Sequence, residues 1–330
     1  MGGSAGGSMY AGTAAAPVLC TAADALSNLV ATLELIADGQ VRYNAATKRP
    51  RATTVALVED ALVAGDYYDS GCSSKYDGAP STKGEPIAAY AWPLLAQAGG
   101  LARLNGTDLE LTGRGLDVLA KPGYEALGAL WLRWLKSVSF DEMARIDAIK
   151  GQRRQGTLIS AAKRRAVVVA ALAALEPGAW ADVELIWQIL QTDTAPLVVT
   201  RNTLALWRLY IGDSYHGSLG HAGAKSWEIV EGRYVLCVLF EYAATAGLID
   251  VTYTDPRGAR DDYKYLHGTD DLPYLSRYDG LLAIRVNALG DALLHDPASV
   301  PDINLPVPRL LRRVSLVAVH HLSVRHRQHR

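Results

Sequence analysis

The chain has 330 residues, of which 49% are hydrophobic and 20% charged, and its formal net charge is −1 at pH 7. This length allows two or three domains with cores of their own, and the composition excludes a disordered or fibrous protein. A membrane span needs roughly 18 consecutive apolar residues, and the longest apolar run, 166–175, is shorter. None of the three cysteines belongs to a CxxC pair, so we expect a cytoplasmic protein without a disulfide framework or zinc site.

Helices followed by a β-hairpin are predicted in the first third of the chain. Apolar periodicity predicts helices over 22–38, 52–64 and 85–98. Two strands, 101–104 and 109–111, flank Asn105-Gly106, a dipeptide that favours a two-residue hairpin turn. Thr112 then stands at the N-cap position of a closing helix that ends near residue 119.

The same order of elements returns in the second half. Helices are predicted over 164–175, 182–191 and 230–246, and strands over 248–253 and 281–286. Asn287 takes the position of Thr112, and Gly290 takes that of Gly115. The copies differ between their strands, where the second copy has a long Asp-rich loop over 254–280.

This repetition predicts a mainly α protein with small β-hairpins, an α+β class, built from tandem winged-helix domains joined by a helical linker. The N-terminal segment, rich in Gly, Ala and Ser, is expected to be a flexible leader, and the C-terminal segment is basic. The predicted boundaries are 1–21 for the leader, 22–122 for the first winged helix, 123–162 for the linker, 163–300 for the second winged helix with its long acidic wing, and 301–330 for the basic tail.

Basic residues concentrate in two segments of an otherwise acidic body. One lies between the first two predicted helices, and the other spans 150–165 without an acidic residue. Such clusters can contact the phosphates of DNA, although basic residues can equally solvate a loop, and both interpretations stay open. With Arg114 of the first closing helix, the predicted DNA contacts are Arg42, Lys48, Arg49, Arg51, Arg114, Lys150, Arg153, Arg154, Lys163, Arg164 and Arg165.

Other chemistry receives weak support from the sequence. His216 and His221 lie near Asp213 in a Gly-rich segment, but a metal site needs a further ligand that the sequence does not identify, so a loop is the preferred interpretation. The triplet 191–193, Gln-Thr-Asp, matches a pair used by some tandem winged-helix DNA glycosylases, and so short a match is nearly uninformative. Nucleotide-binding and nucleophile-elbow motifs do not occur. We therefore predict no catalytic residue, cofactor or metal.

Three segments carry a resemblance to a known family: LTGRGLDVLA, ADGQVRYNAATKRPR and GRYVLCVLFEYAATAGLIDV. Over about residues 25–295 the chain resembles bacterial winged-helix proteins that are similar to the N-terminal domain of XPB-type helicases. The resemblance implies a DNA-associated protein. We expect a non-enzymatic subunit of a larger DNA-handling assembly that contacts duplex DNA mainly through its phosphate backbone.

Two alternatives of other classes remain. The first is a protein–protein scaffold or homo-oligomerisation module that uses winged helices without DNA, which Trp131, Trp134 and Trp207 would suit, although the helical spacing of Trp131 and Trp134 is most simply that of an interdomain core. The second is a DNA glycosylase-like enzyme with its site near Gln191.

Overall fold

The computed structural model describes residues 16–68, 86–192 and 195–295. Helices and a small antiparallel sheet make a mixed α+β fold, as predicted at the level of class. Among the described residues, no helix combines the length and the apolarity that a membrane span requires.

A short strand, three helices and a hairpin open the described chain. They are β1 (Val18–Leu19), α1 (Ala22–Ala37), α2 (Ala52–Ala61), α3 (Ala88–Ala98), β2 (Ala102–Asn105) and β3 (Asp108–Leu111), followed by the closing helix α4 (Gly113–Ala120). The third helix begins later than predicted because Asp66 accepts the backbone N–H groups of Ile87, Ala88 and Ala89 at its N-terminus.

The predicted helical linker 123–162 is helical only in part. Helix α5 (Tyr124–Lys136) and a 3-10 turn (Glu142–Arg145) are its regular elements. Helix α5 ends at Lys136, and the Arg165 guanidinium binds the carbonyl oxygens of Trp134, Ser137 and Phe140 around that end. A buried side chain therefore takes the place of continued helical hydrogen bonding.

The second half repeats the order with additions. Its elements are α6 (Ala161–Ala173), β4 (Trp180–Asp182), α7 (Val183–Thr192), α8 (Thr203–Leu206), a 3-10 segment (Leu219–Lys225), α9 (Arg233–Cys237), β5 (Ile249–Tyr253), β6 (Leu281–Val286) and α10 (Ala288–His295). Two π-helical stretches, Glu228–Gly232 and Val238–Ala243, flank α9 and continue it. We call 228–243 the central helix.

The four-stranded sheet has the order β1-β5-β6-β4 and is antiparallel throughout. Val18 pairs with Thr252, and the Thr21 hydroxyl donates to the Ile249 carbonyl at 2.7 Å. The end of the predicted flexible leader is therefore an ordered edge strand, which corrects the boundary at residue 21. Residues 1–15 of that leader lie outside the described part of the chain.

Both halves close their hairpins with the same local geometry. The Thr112 hydroxyl accepts the Gly115 N–H at 3.2 Å, and the Asn287 side-chain oxygen accepts the Gly290 N–H at 3.0 Å. In each half, the segment between the first two helices also pairs with the returning strand, as Val41 accepts from Leu109 and β4 pairs with β6. The repeated sequence thus corresponds to a repeated backbone arrangement.

The hydrophobic core runs through both halves without a break. Fifteen of the sixteen positions of the central helix are buried, all except Glu228, and α3 packs against its C-terminal part. Trp134 is fully buried and stacks on Tyr242 with 5.3 Å between the ring centroids. Trp131 is buried beside it, so neither tryptophan is available to a partner, contrary to the scaffold interpretation.

Candidate nucleic-acid interface

The structure brings the two basic segments together on one concave surface. Two adjoining depressions, of about 380 and 340 Å³, share Arg49 and Arg153 in their walls. Their basic rim consists of Lys48, Arg49, Lys150, Arg153 and Arg154, and we call this surface the basic cleft. Side chains about a hundred positions apart in sequence therefore meet at one site.

The first wall of the cleft is a tight loop between α1 and α2. The Asn44 side-chain oxygen accepts the N–H groups of Ala46 and Thr47, and Asn44 N donates to the Arg49 carbonyl. This turn places Lys48 in the left-handed region, with φ 54°, and leaves its side chain exposed. Arg49 reaches across the cleft and donates to the Ala144 carbonyl of the opposite wall.

The second wall is held by backbone pairing with a segment that follows α8. Lys150 and Tyr210 exchange two backbone hydrogen bonds, of 2.7 and 3.2 Å. Gly151 has φ 85°, and a Cβ there would lie 1.9 Å from the Arg208 carbonyl oxygen, so only glycine fits this crossing. Arg208 also donates to the Gln155 carbonyl at 3.3 Å. This supporting arginine could not be predicted from the sequence, because no local pattern connects it with residues 150–156.

Acidic groups at the cleft are neutralised by arginines from beneath it. Asp141 pairs with Arg164, whose side chain is fully buried, and Asp147 pairs with Arg277, which is 7% exposed. Within the described ranges of the chain, none of the five rim cations forms an ion pair with an acidic residue. The rim therefore presents uncompensated positive charge to solvent, which favours an anionic ligand.

The prediction that Arg164 and Arg165 contact DNA is wrong, because both side chains are fully buried. Arg165 binds the buried carboxylate of Glu142, and burial raises the pKa of Glu142 while the arginine opposes that rise. Arg164 also lies over the Tyr234 ring at 4.6 Å. The basic run on α6 thus contains two core residues, and only Lys163 among the three is exposed.

Four other predicted contacts lie outside the walls of the basic cleft. Arg42 pairs with Asp108 at 3.3 Å beside the first hairpin, and Arg51 Nε donates to the Tyr43 carbonyl. Arg114 and Lys163 are exposed on α4 and α6. The structure does not gather these four with the rim cations.

The helices that precede each hairpin are enclosed by the core. Nine residues of α3 are buried, from Ala88 through Ala96, and the central helix is buried from residue 229 to residue 243. A helix must be accessible to enter a DNA major groove, so neither can act as a recognition helix in this fold. Contacts with nucleic acid would therefore come from exposed loops and side chains rather than from these two helices.

The structure does not describe both members of the glycosylase-like pair. Gln191 is exposed near the end of α7, whereas Asp193, the second member of the glycosylase-like pair, lies outside the described residues. Comparisons with protein-family profiles, with curated proteins and with solved structures give no match.

Proposed function

We propose that this protein binds duplex DNA through the basic cleft, mainly by contacts to phosphates, as a non-enzymatic subunit of a larger DNA-handling assembly. The observation that carries the proposal is the convergence of two distant basic loops on one concave surface whose acidic groups are already paired. Lysine and arginine side chains on such a surface can follow a phosphate backbone without reading bases.

Tandem winged-helix units form the frame in this proposal. The repeated helices, paired hairpins and capped closing helices support that assignment. The buried third helices favour contacts with the DNA backbone over base recognition, because base-reading winged helices usually insert an accessible helix into the major groove. Little dependence of affinity on DNA sequence is therefore expected.

The test measures the affinity of the full chain for a fluorescent duplex by anisotropy at roughly 50 mM salt. The variant Lys48→Ala/Arg153→Ala removes one cation from each wall of the cleft. Both side chains are exposed. We expect a loss of affinity of about tenfold or more, because two phosphate contacts disappear.

The matched control is Lys121→Ala/Lys163→Ala, which removes the same charge from exposed positions outside the cleft. All variants keep the basic tail, so its contribution is constant. Affinity within about twofold of the wild type in the control, with the loss confined to the cleft variant, supports the proposal. Absence of wild-type binding, or equal losses in both variants, contradicts it.

Binding of a protein partner is the second candidate function. Leu204, Trp207 and Tyr215 expose 74%, 50% and 79% of their surfaces within one short segment. Large apolar side chains so exposed often mark contact surfaces between proteins. Sedimentation of the wild type and of Leu204→Ser/Tyr215→Ser would show self-association through this segment as a fall in molecular mass in the variant alone.

A further inference from the structure

Two histidines and an aspartate meet on the surface of the second half, away from the basic cleft's rim. Asp213 Oδ1 lies 3.6 Å from His216 Nδ1, and Asp213 Oδ2 lies 3.1 Å from His267 Nε2. The three potential ligand atoms lie within 4.8 Å of one another. His267 belongs to the long loop 254–280, so its approach could not be read from local spacing.

Backbone geometry holds the three residues in place. Gly212 and Gly268 have φ of 68° and 77°, and a Cβ on Gly212 would lie 3.4 Å from the Gly268 Cα. Asp213 follows Gly212 and His267 precedes Gly268, so this contact between the two loops sets Asp213 and His267 next to each other.

The aspartate is also oriented by its own turn. Asp213 Oδ1 accepts the N–H groups of Tyr215 and His216, both at 2.9 Å, and Gly217 N donates to the Asp213 carbonyl. The turn therefore fixes the carboxylate and the His216 ring on the same side of the loop. The other oxygen, Oδ2, makes the contact with His267 Nε2.

We propose that Asp213, His216 and His267 bind a divalent transition-metal ion of the zinc class. A tetrahedral site with bonds of about 2.1 Å has ligand atoms roughly 3.4 Å apart. His216 Nδ1 and His267 Nε2 lie 3.6 and 3.1 Å from different oxygens of the one Asp213 carboxylate, and one ligand atom from each residue lies within 4.8 Å of the other two, so a bound ion would have to draw the three atoms closer together. Two imidazole nitrogens and one carboxylate suit zinc and its neighbours, whereas magnesium and calcium prefer oxygen ligands throughout.

The remaining coordination position faces solvent. The two histidines line a surface depression of about 580 Å³ together with Trp207 and His221. Three protein ligands with one open position leave room for water or an exchangeable ligand on the metal. A bound ion would also tie the loop 254–280 to the segment 211–218 by bonds much stronger than the exposed His–Asp contacts.

The test must separate this site from the histidines of the basic tail, which can bind metals on their own. The reference protein is the full chain with His320, His321, His326 and His329 replaced by Gln. Zinc is titrated at about pH 7.5 against a chromophoric chelator, and cobalt is used to record the ligand-field spectrum. One zinc per chain and a tetrahedral cobalt spectrum are expected.

Three variants and one control are compared in that reference protein. His216→Ala and His267→Ala each remove a ligand, and Asp213→Asn keeps the turn while removing the charge. Each should weaken zinc binding by at least about tenfold, because loss of even an outer-sphere partner commonly has that effect. His295→Ala removes an exposed histidine that pairs with Asp291 elsewhere, and it should leave binding unchanged.

Circular dichroism without metal establishes that the variants remain folded, and DNA affinity does not enter the measurement. Failure of the reference protein to compete with the chelator overturns the proposal. Equal zinc affinity of His267→Ala and His295→Ala also overturns it, because the Asp213 cluster would then be an ion-pair network only.

Discussion

Gly290 packs so tightly against Leu248 that a Cβ at position 290 would lie 2.0 Å from the Leu248 carbonyl oxygen. Gly115 has the same relation to Leu101 in the first half, at 2.1 Å. Each closing helix therefore lies directly on the strand entry of its own hairpin, and only a residue without a side chain permits that contact.

Alanine at either glycine should destabilise the protein. Gly115→Ala and Gly290→Ala force a methyl group onto a backbone carbonyl, and we expect each to lower the free energy of unfolding by about 2 kcal/mol or more. Denaturant titration followed by circular dichroism measures the change. Gly113→Ala is the control, because it lies on the same helix as Gly115 and its Cβ meets nothing within 4 Å. A Gly115→Ala variant as stable as Gly113→Ala would contradict the packing.

Both side chains of the Arg165–Glu142 ion pair are fully buried, so removing one charge should destabilise the protein more than removing both. Arg165→Leu leaves the Glu142 carboxylate buried without a partner, and a loss of about 3–5 kcal/mol is expected. The double variant Arg165→Leu/Glu142→Leu should recover only part of that loss, because it removes both charges but still leaves the carbonyls of Trp134, Ser137 and Phe140 without their donor. Chemical denaturation of the single and double variants measures both values.

Arg103→Ala provides the surface comparison, since the pair that Arg103 forms with Glu110 is largely exposed and should contribute less than about 1 kcal/mol. If Arg165→Leu lowered the free energy of unfolding no more than Arg103→Ala does, the conclusion that Arg165 stabilises the core by pairing with Glu142 would be wrong.

Glu231 should make stability depend on pH. Burial raises the pKa of Glu231 to about 7, from an ordinary 4.5, although its carboxylate accepts the Val199 N–H at 2.9 Å. Between these pH values the folded state holds the proton that the unfolded state has lost. The contribution of Glu231 to stability therefore falls as pH rises from 4.5 to 7.

Glu231→Gln removes this titration and keeps an oxygen that can accept from Val199. At pH 8 the variant should be more stable than the wild type, by up to about 3 kcal/mol, whereas near pH 4.5 the two should be similar. Thermal or urea unfolding across this range measures the difference. Parallel profiles for Glu231→Gln and the wild type would refute the assignment.

The salt dependence of the proposed DNA binding should report how many phosphates the basic cleft contacts. The logarithm of the DNA association constant falls linearly with the logarithm of salt concentration, with a slope of about −0.9 for each neutralised phosphate. Lys48→Ala/Arg153→Ala should reduce the steepness of that slope by about 2, and Lys121→Ala/Lys163→Ala should leave it unchanged. Anisotropy titrations at several salt concentrations give the slopes. An unchanged slope in the cleft variant would place the contacts elsewhere.

Local signals in the sequence were sufficient for the hairpins and their caps. Thr112 and Asn287 cap the closing helices as predicted, and the second returning strand has the predicted bounds, Leu281–Val286. These features depend on residues near one another in the chain, where side-chain capping and alternation act directly.

The candidate sites were harder to predict because they depend on distant contacts. Arg164 and Arg165 read as surface cations until their carboxylate partners, Asp141 and Glu142, are known. Similarly, the segment with His216 could not be recognised as part of the proposed metal site before His267 was placed beside it. Charge and ligand type are visible in a sequence, whereas the partner that determines their role is not.

The two-residue edge strand β1 protects a strand of the second half of the chain from exposure. Val18 and Leu19 cover the outer side of β5, which belongs to the second half of the chain. The predicted flexible leader ends at residue 21, so a shortened protein would naturally start at Ala22. That protein would leave this side of β5 without its backbone partner. Unpaired edges recruit strands from other molecules, so the trimmed protein would be prone to intermolecular sheet formation and precipitation during purification. Expression work on this chain should therefore keep residues 16–21.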